Sequence, residues 1–136
     1  MLDWSPQPPY TAEQLLQVIR ILRDPENGCP WDKVQTHASI RKNFLEETCE
    51  ALEAIDADNA VLLREELGDV LFAAVSAARQ LHIDPEDALN STCKKFTDRF
   101  AAMEAAAALR GVRLEDMDRQ ELAGLWANAK AACKKQ

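Results

Sequence analysis

The sequence predicts an all-α protein, an antiparallel helical bundle of about five helices, and three observations support this fold class. Alanine, a strong helix former, occurs 22 times among the 136 residues. All six prolines lie at or before Pro85, at positions typical of loops or helix starts. Few windows show the alternation of a β-strand, and short connections between the predicted helices favour antiparallel neighbours.

Start and stop signals divide the chain into these five helices. Thr11 and Gln14 form a capping-box pattern at the first helix start. Asp84 and Pro85 open the fourth helix, and Gly111 ends it. The third helix turns apolar on nearly every side in its second half, which predicts a central, buried helix. The predicted spans are 11–23, 39–55, 60–82, 85–111 and 118–132.

Length and charge narrow the classes of function. We expect a single domain over residues 1–136, with 1–10 as a flexible N-terminal segment. A net charge of −7 argues against a nucleic-acid-binding protein, which needs a basic surface. No apolar run approaches the roughly 20 residues of a membrane span. The polar start MLDWSPQPPY is not typical of a signal peptide, so we expect a cytoplasmic protein without a membrane partner.

The four cysteines show neither a C-x-x-C pair nor zinc-ligand spacing. Free thiols in a reducing compartment are the expected state, and a Cys–His catalytic pair is the alternative. The cysteines are Cys29, Cys49, Cys93 and Cys133.

Four carboxylates of the second and third helices are expected to face one pocket. At about 100° per residue, Glu47 and Glu50 border the apolar stripe of the second helix, whereas Glu46 faces water. Glu66 borders the stripe of the third helix, and Asp69 lies one turn further on the same side, where we expect partial burial. The expected stripe of the second helix is Phe44, Thr48, Ala51, Leu52 and Ile55.

Converging carboxylates repel one another, and hard divalent cations such as Mg²⁺ relieve that repulsion. The two acid pairs therefore predict a metal site. The alternative interpretation is that these acids are solvated and form ordinary surface pairs.

Five ordered segments of the chain resemble the MazG-like nucleoside triphosphate pyrophosphohydrolases. The resemblance covers residues 22–130, and it is to the short single-domain type rather than a tandem form. The segments are LRDPENGCPWDKVQTHASIR, LEETCEALEAI, LREELGDVLFAAV, KKFTDRFAAME and LWANAK.

The resemblance implies a function, a cofactor and a set of ligands. Members hydrolyse a nucleoside triphosphate to a monophosphate and pyrophosphate, through metal-activated water attack at the α-phosphate, in house-cleaning of nucleotide pools. Family metal ligands fall on Glu47, Glu50, Glu66 and Asp69, with Mg²⁺ as the cofactor and Mn²⁺ as a substitute. Either Glu46 or Glu47 would orient the water, and the sequence does not choose between them. The family fold is an all-α bundle that forms homodimers or higher homo-oligomers.

The substrate-binding candidates are cationic or aromatic. By the resemblance, Lys95 and Arg99 contact the triphosphate, and the alternative is a solvated basic face. Trp126 and Lys130 match positions linked to the active site, although Trp126 is equally a core anchor. Trp31 is either a base-stacking residue or an anchor of the loop over 24–32. Its neighbours Asp32 and Lys33 are likewise either substrate-binding residues or part of the loop structure.

Two other functions remain open at this point. One is a narrower dUTP- or dCTP-type pyrophosphohydrolase of the same superfamily. The other is a catalytically inactive helical protein-interaction module, although such a module needs none of the four acids.

Overall fold

The computed structural model describes Leu2 and residues 4–132, and within them the protein is helical with no strand. The all-α prediction is confirmed. All five predicted helices are present, and a sixth, single-turn helix lies inside the expected loop. The helices are α1 (Ala12–Leu22), α2 (Pro30–Lys33), α3 (His37–Asp56), α4 (Ala60–Gln80), α5 (Pro85–Leu109) and α6 (Arg119–Ala132), with a 3-10 turn at Leu114–Asp116.

Side-chain caps fix the helix starts. Thr11 and Gln14 form the expected reciprocal capping box of α1. The start of α3 comes earlier than predicted, because Thr36 and Ser39 form a second capping box there. The Asp84 carboxylate accepts a hydrogen bond from the backbone of Glu86 at the start of α5. These local hydrogen bonds satisfy backbone N–H groups at the starts of α1, α3 and α5, which otherwise lack partners within the helix.

The chain divides into two compact units, the first ending at Glu86 and the second beginning at Asp87. In the first unit α3 packs against α4, and α1 also packs against α4. The loop between α1 and α2 turns tightly at Gly28. A Cβ atom there would lie 2.5 Å from the carbonyl oxygen of Asp24, so only glycine fits. This turn places α2 directly before the N-terminal end of α3.

The second unit has a small core between α5 and α6. Its buried residues are Met103, Ala107, Met117, Leu125 and Ala129. Gly111 adopts a φ of 68°, and the backbone N–H of Val112 reaches the carbonyl oxygen of Ala107 at 3.2 Å. That pattern is a Schellman motif, and the predicted end of the helix at glycine is confirmed.

Burial corrects two predictions. On α3 the buried residues are Ile40, Ala51 and Ala54, whereas Leu52 and Ile55 of the predicted stripe are 54% and 55% exposed. The third predicted helix, α4, packs against both α3 and α1, but its expected burial is wrong, since only Glu66 and Ala73 of α4 are buried. Helical periodicity shows which side chains share a face, but it cannot show whether another element covers that face.

Three of the four cysteines, Cys29, Cys49 and Cys93, are free thiols as expected, and Cys133 lies outside the described residues. Over residues 4–132, every helix is too short or too polar to cross a membrane. Nothing in the structure tests the expectations of one domain over 1–136 and of a flexible segment over 1–10, which stay predictions.

Candidate active site

An acidic cluster forms where α3 and α4 pack together. Glu47 on α3 and Glu66 and Asp69 on α4 each offer one carboxylate oxygen, and these oxygens lie within 4.8 Å of one another. Glu66 is buried, Glu47 is half-buried and Asp69 is exposed. The partial burial expected for Asp69 is therefore wrong. Glu50, one turn along α3 from Glu47, is exposed and lies outside this compact set.

The electrostatics of the cluster centre on Glu66. Burial raises the pKa of Glu66 above its usual value of 4.5, and the negative charge of Glu50 raises this pKa further. Glu65, Asp69 and Glu47 act in the same direction. Glu50 is therefore electrostatically part of the cluster.

The donor set suits a hard divalent cation. Carboxylate oxygens are the ligands that Mg²⁺ prefers. Within residues 4–132, no lysine, arginine or histidine forms an ion pair with Glu47, Glu50, Glu66 or Asp69. A buried acid among like charges is unfavourable without a counter-charge, so a divalent cation would stabilise Glu66 and its neighbouring carboxylates here.

A cavity of about 580 Å³ adjoins the cluster in the first unit, and Glu47 and Asp69 form part of its wall. This volume lies within the usual range of small-molecule sites. Glu46 also lines the cavity, with its carboxylate 3.3 Å from the Lys42 ammonium. The wall also includes Arg23, Gln35, Ser39, Lys42, Asn43, Phe72 and Ser76.

The short helix α2 brings two of the predicted substrate-binding residues to this cavity. Trp31 is 75% exposed and lines the cavity with Asp32. Lys33 is not part of the wall, and its ammonium donates to the carbonyl oxygen of Pro25 at 3.3 Å. The side chain of Gln35 donates to the carbonyl oxygen of Trp31 at 3.2 Å, which ties α2 to the start of α3.

The remaining candidates, Lys95, Arg99, Trp126 and Lys130, belong to the second unit. The Arg99 guanidinium lies over the Trp126 ring, 5.8 Å from its centroid, and the Phe96 ring is 5.3 Å from the same ring. The Nε atom of Arg99 is buried and has no hydrogen-bond partner in the described chain. Lys95 and Lys130 are exposed.

Sequence reasoning missed several cavity residues, and Asn43 is the most informative of them. Its side-chain amide donates to the Glu47 carboxylate, with Nδ2 and Oε1 2.7 Å apart. Its position four residues before Glu47 would have placed it on the same helix face. Arg23 and Gln35 carry no comparable signal, because their approach to the cavity depends on the loop that contains α2.

The protein is therefore an all-helical domain in which two packed helices place carboxylates beside a small-molecule cavity. Residues 35–103 match the MazG nucleotide pyrophosphohydrolase domain, and the chain belongs to this family. The resemblance noted in the sequence is confirmed.

Individual relatives agree with this assignment. The nucleoside triphosphate pyrophosphohydrolase of Escherichia coli (strain K12) is 45% identical over 88 residues, covering 65% of this chain and 34% of the relative. The protein of the same name from Mycobacterium tuberculosis (strain H37Rv) is 31% identical over 127 residues, covering 89% of this chain and 37% of the relative. The chain thus spans about a third of the length of these curated relatives.

A solved structure shows the same fold. The crystal structure of a mazG-related protein from Thermotoga maritima matches with a TM-score of 0.60 and 27% identity. The match covers 88% of this chain and 98% of that one.

Proposed function

We propose that this protein hydrolyses nucleoside triphosphates to nucleoside monophosphate and pyrophosphate, with Mg²⁺ as cofactor and Mn²⁺ as a substitute. The observation that supports the proposal best is the acidic cluster beside the 580 Å³ cavity, with Glu47 and Asp69 in the cavity wall. Family membership and the names of the relatives support the same reaction. Clearing nucleotide pools in the cytoplasm is the role we infer for it.

The cluster residues would hold the cation in this reaction. Glu47, Glu66 and Asp69 supply three oxygens, and Glu50 is the fourth proposed ligand, supported by its electrostatic effect on Glu66. When bound, divalent cations neutralise phosphate oxygens and activate water for attack. Glu46 lines the same cavity, so Glu46 and Glu47 both remain candidates to orient the water attacking the α-phosphorus.

The cavity beyond the cluster would take the nucleoside. Trp31 offers an exposed ring for stacking on a base, and Asp32 offers a hydrogen-bond acceptor on the same wall. Lys33 is a weaker candidate for a substrate contact, since its ammonium donates to the carbonyl oxygen of Pro25 in the loop.

The proposed phosphate contacts are Lys95 and Arg99, as the family resemblance implies. The Arg99 guanidinium stacks on Trp126, and its buried Nε atom has no hydrogen-bond partner in the described chain. A guanidinium offers a planar fork of donors that suits two phosphate oxygens. Lys95 and Lys130 add positive charge. Trp126 would therefore serve substrate binding by holding Arg99 in place.

We also propose that the protein is a homodimer or a higher homo-oligomer. Large apolar side chains on α3 and α4 are exposed in the single chain, which is unfavourable unless another surface covers them. They include Leu45, Leu52, Ile55, Val61, Leu67 and Leu71. Light scattering coupled to size exclusion checks this, and a monomeric mass would contradict it.

A nucleotide panel tests the proposed reaction. The purified protein should release pyrophosphate from nucleoside triphosphates with Mg²⁺ and lose this activity with a chelator. Glu66→Gln keeps the size of the side chain and removes one cluster charge, so it should abolish turnover. A matched control is Glu53→Gln, an exposed acid on α3 outside the cavity wall. Release from dUTP or dCTP alone would favour the narrower enzyme, and none from any nucleotide would favour the interaction module.

A further inference from the structure

We propose that Asn43 is a positioning residue that holds the Glu47 carboxylate in its cation-binding orientation, an inference that rests on the proposed function. The Asn43 amide lies 2.7 Å from the Glu47 carboxylate, and both residues line the cavity. Carboxylates that bind metals are commonly oriented by a hydrogen bond from a neighbouring residue.

Glu47 is the cluster member that needs such a partner. Burial in the α3–α4 contact restricts Glu66, and the side chain of Asp69 is one methylene shorter. Glu47 is half-buried and carries the longer side chain, so it samples more rotamers unless something holds it. Within residues 4–132, Glu47 alone among these three carboxylates accepts a side-chain hydrogen bond.

The chemistry of the partner matters as much as its position. The neighbouring acid Glu46 pairs with Lys42, also four residues earlier, and that cation offsets its charge. Asn43 is neutral, so it orients Glu47 without offsetting the negative charge that attracts a cation. The helix thus carries two acids with the same spacing to their partners, and only the partner of Glu47 is uncharged.

Calorimetric titration of Mg²⁺ into the metal-free protein, with no nucleotide present, tests the proposal. Asn43→Leu keeps the approximate shape of the side chain and removes the donor, and it should weaken Mg²⁺ binding 10- to 100-fold. Asn43→Gln keeps an amide donor and should bind Mg²⁺ more tightly than Asn43→Leu. The matched control, Asn90→Leu on the exposed side of α5, should bind Mg²⁺ as the wild type does.

Two further readouts separate positioning from other roles. The melting temperature of metal-free Asn43→Leu should equal that of the wild type, because an exposed pair four residues apart contributes little to helix stability. At saturating Mg²⁺, its KM for the nucleotide should also be unchanged.

Three outcomes would overturn the proposal. The first is wild-type Mg²⁺ affinity in Asn43→Leu, and the second is an Asn43→Gln variant no better than Asn43→Leu. The third is a raised nucleotide KM with unchanged Mg²⁺ affinity, which would mean that Asn43 contacts the substrate itself. In each case wild-type Mg²⁺ binding and pyrophosphate release leave the proposed function intact, whereas a wild type that binds no Mg²⁺ contradicts both.

Discussion

Saturating Mg²⁺ should raise the melting temperature of the protein by about 9 °C. The cluster brings three carboxylate oxygens within 4.8 Å in the folded chain, and the unfolded chain has no such arrangement. At 100 times the dissociation constant, a cation bound only to the folded state adds about 2.7 kcal/mol to the free energy of unfolding. For 136 residues, the usual unfolding entropy converts that gain to about 9 °C.

Differential scanning calorimetry with and without Mg²⁺ measures this shift, and Asp69→Asn supplies the matched perturbation. The variant keeps the shape of the side chain and removes one of the three clustered charges. Its Mg²⁺ shift should shrink, and its metal-free melting temperature should match or exceed the wild-type value because one repulsion is gone. Glu53→Gln on α3 should keep the full shift. A wild-type melting curve indifferent to Mg²⁺ would refute the reasoning, as would an equal shift in Asp69→Asn.

Two further predictions follow from the electrostatics and from the second unit. The pKa of Glu66 is raised in the folded state. Between pH 4.5 and this raised pKa, the folded protein therefore binds more protons than the unfolded chain. The free energy of unfolding of the metal-free protein should therefore fall as pH rises from about 4.5 through the raised pKa, and urea titrations should show a flatter profile for Glu66→Gln. Arg99→Ala should lower kcat/KM by about 10- to 100-fold while keeping the Mg²⁺-induced melting shift. Normal turnover of that variant at subsaturating nucleotide would contradict a phosphate contact.

The sequence predicted the helices well because their signals are local. Capping residues such as Thr11 and the glycine stop at Gly111 act within one turn, so they can be identified without tertiary information. The turn α2 was missed because four helical residues following Cys29 carry no periodicity. The early start of α3 was missed because Ser39 replaces the usual Glu or Gln of a capping box.

Part of the acidic cluster was also predictable, because the face on which a residue lies depends only on its position within its own helix. Angular position placed Glu47, Glu66 and Asp69 on facing sides of two helices, and the structure brings their oxygens together. Angle alone did not reveal that Glu66 is the buried member and Asp69 the exposed one, because burial depends on packing between helices. The cavity wall formed by α2 depends on how the Gly28 loop returns to α3, which no local pattern encodes.

Hydrolysis in ¹⁸O-labelled water tests the central claim most directly, since it reports which phosphorus the water attacks. The protein is incubated with Mg²⁺ and a nucleoside triphosphate that it turns over, and the products are analysed by mass spectrometry. The proposed reaction predicts one labelled oxygen in the nucleoside monophosphate and none in the pyrophosphate. Label in orthophosphate, with nucleoside diphosphate as the other product, would contradict attack at the α-phosphate.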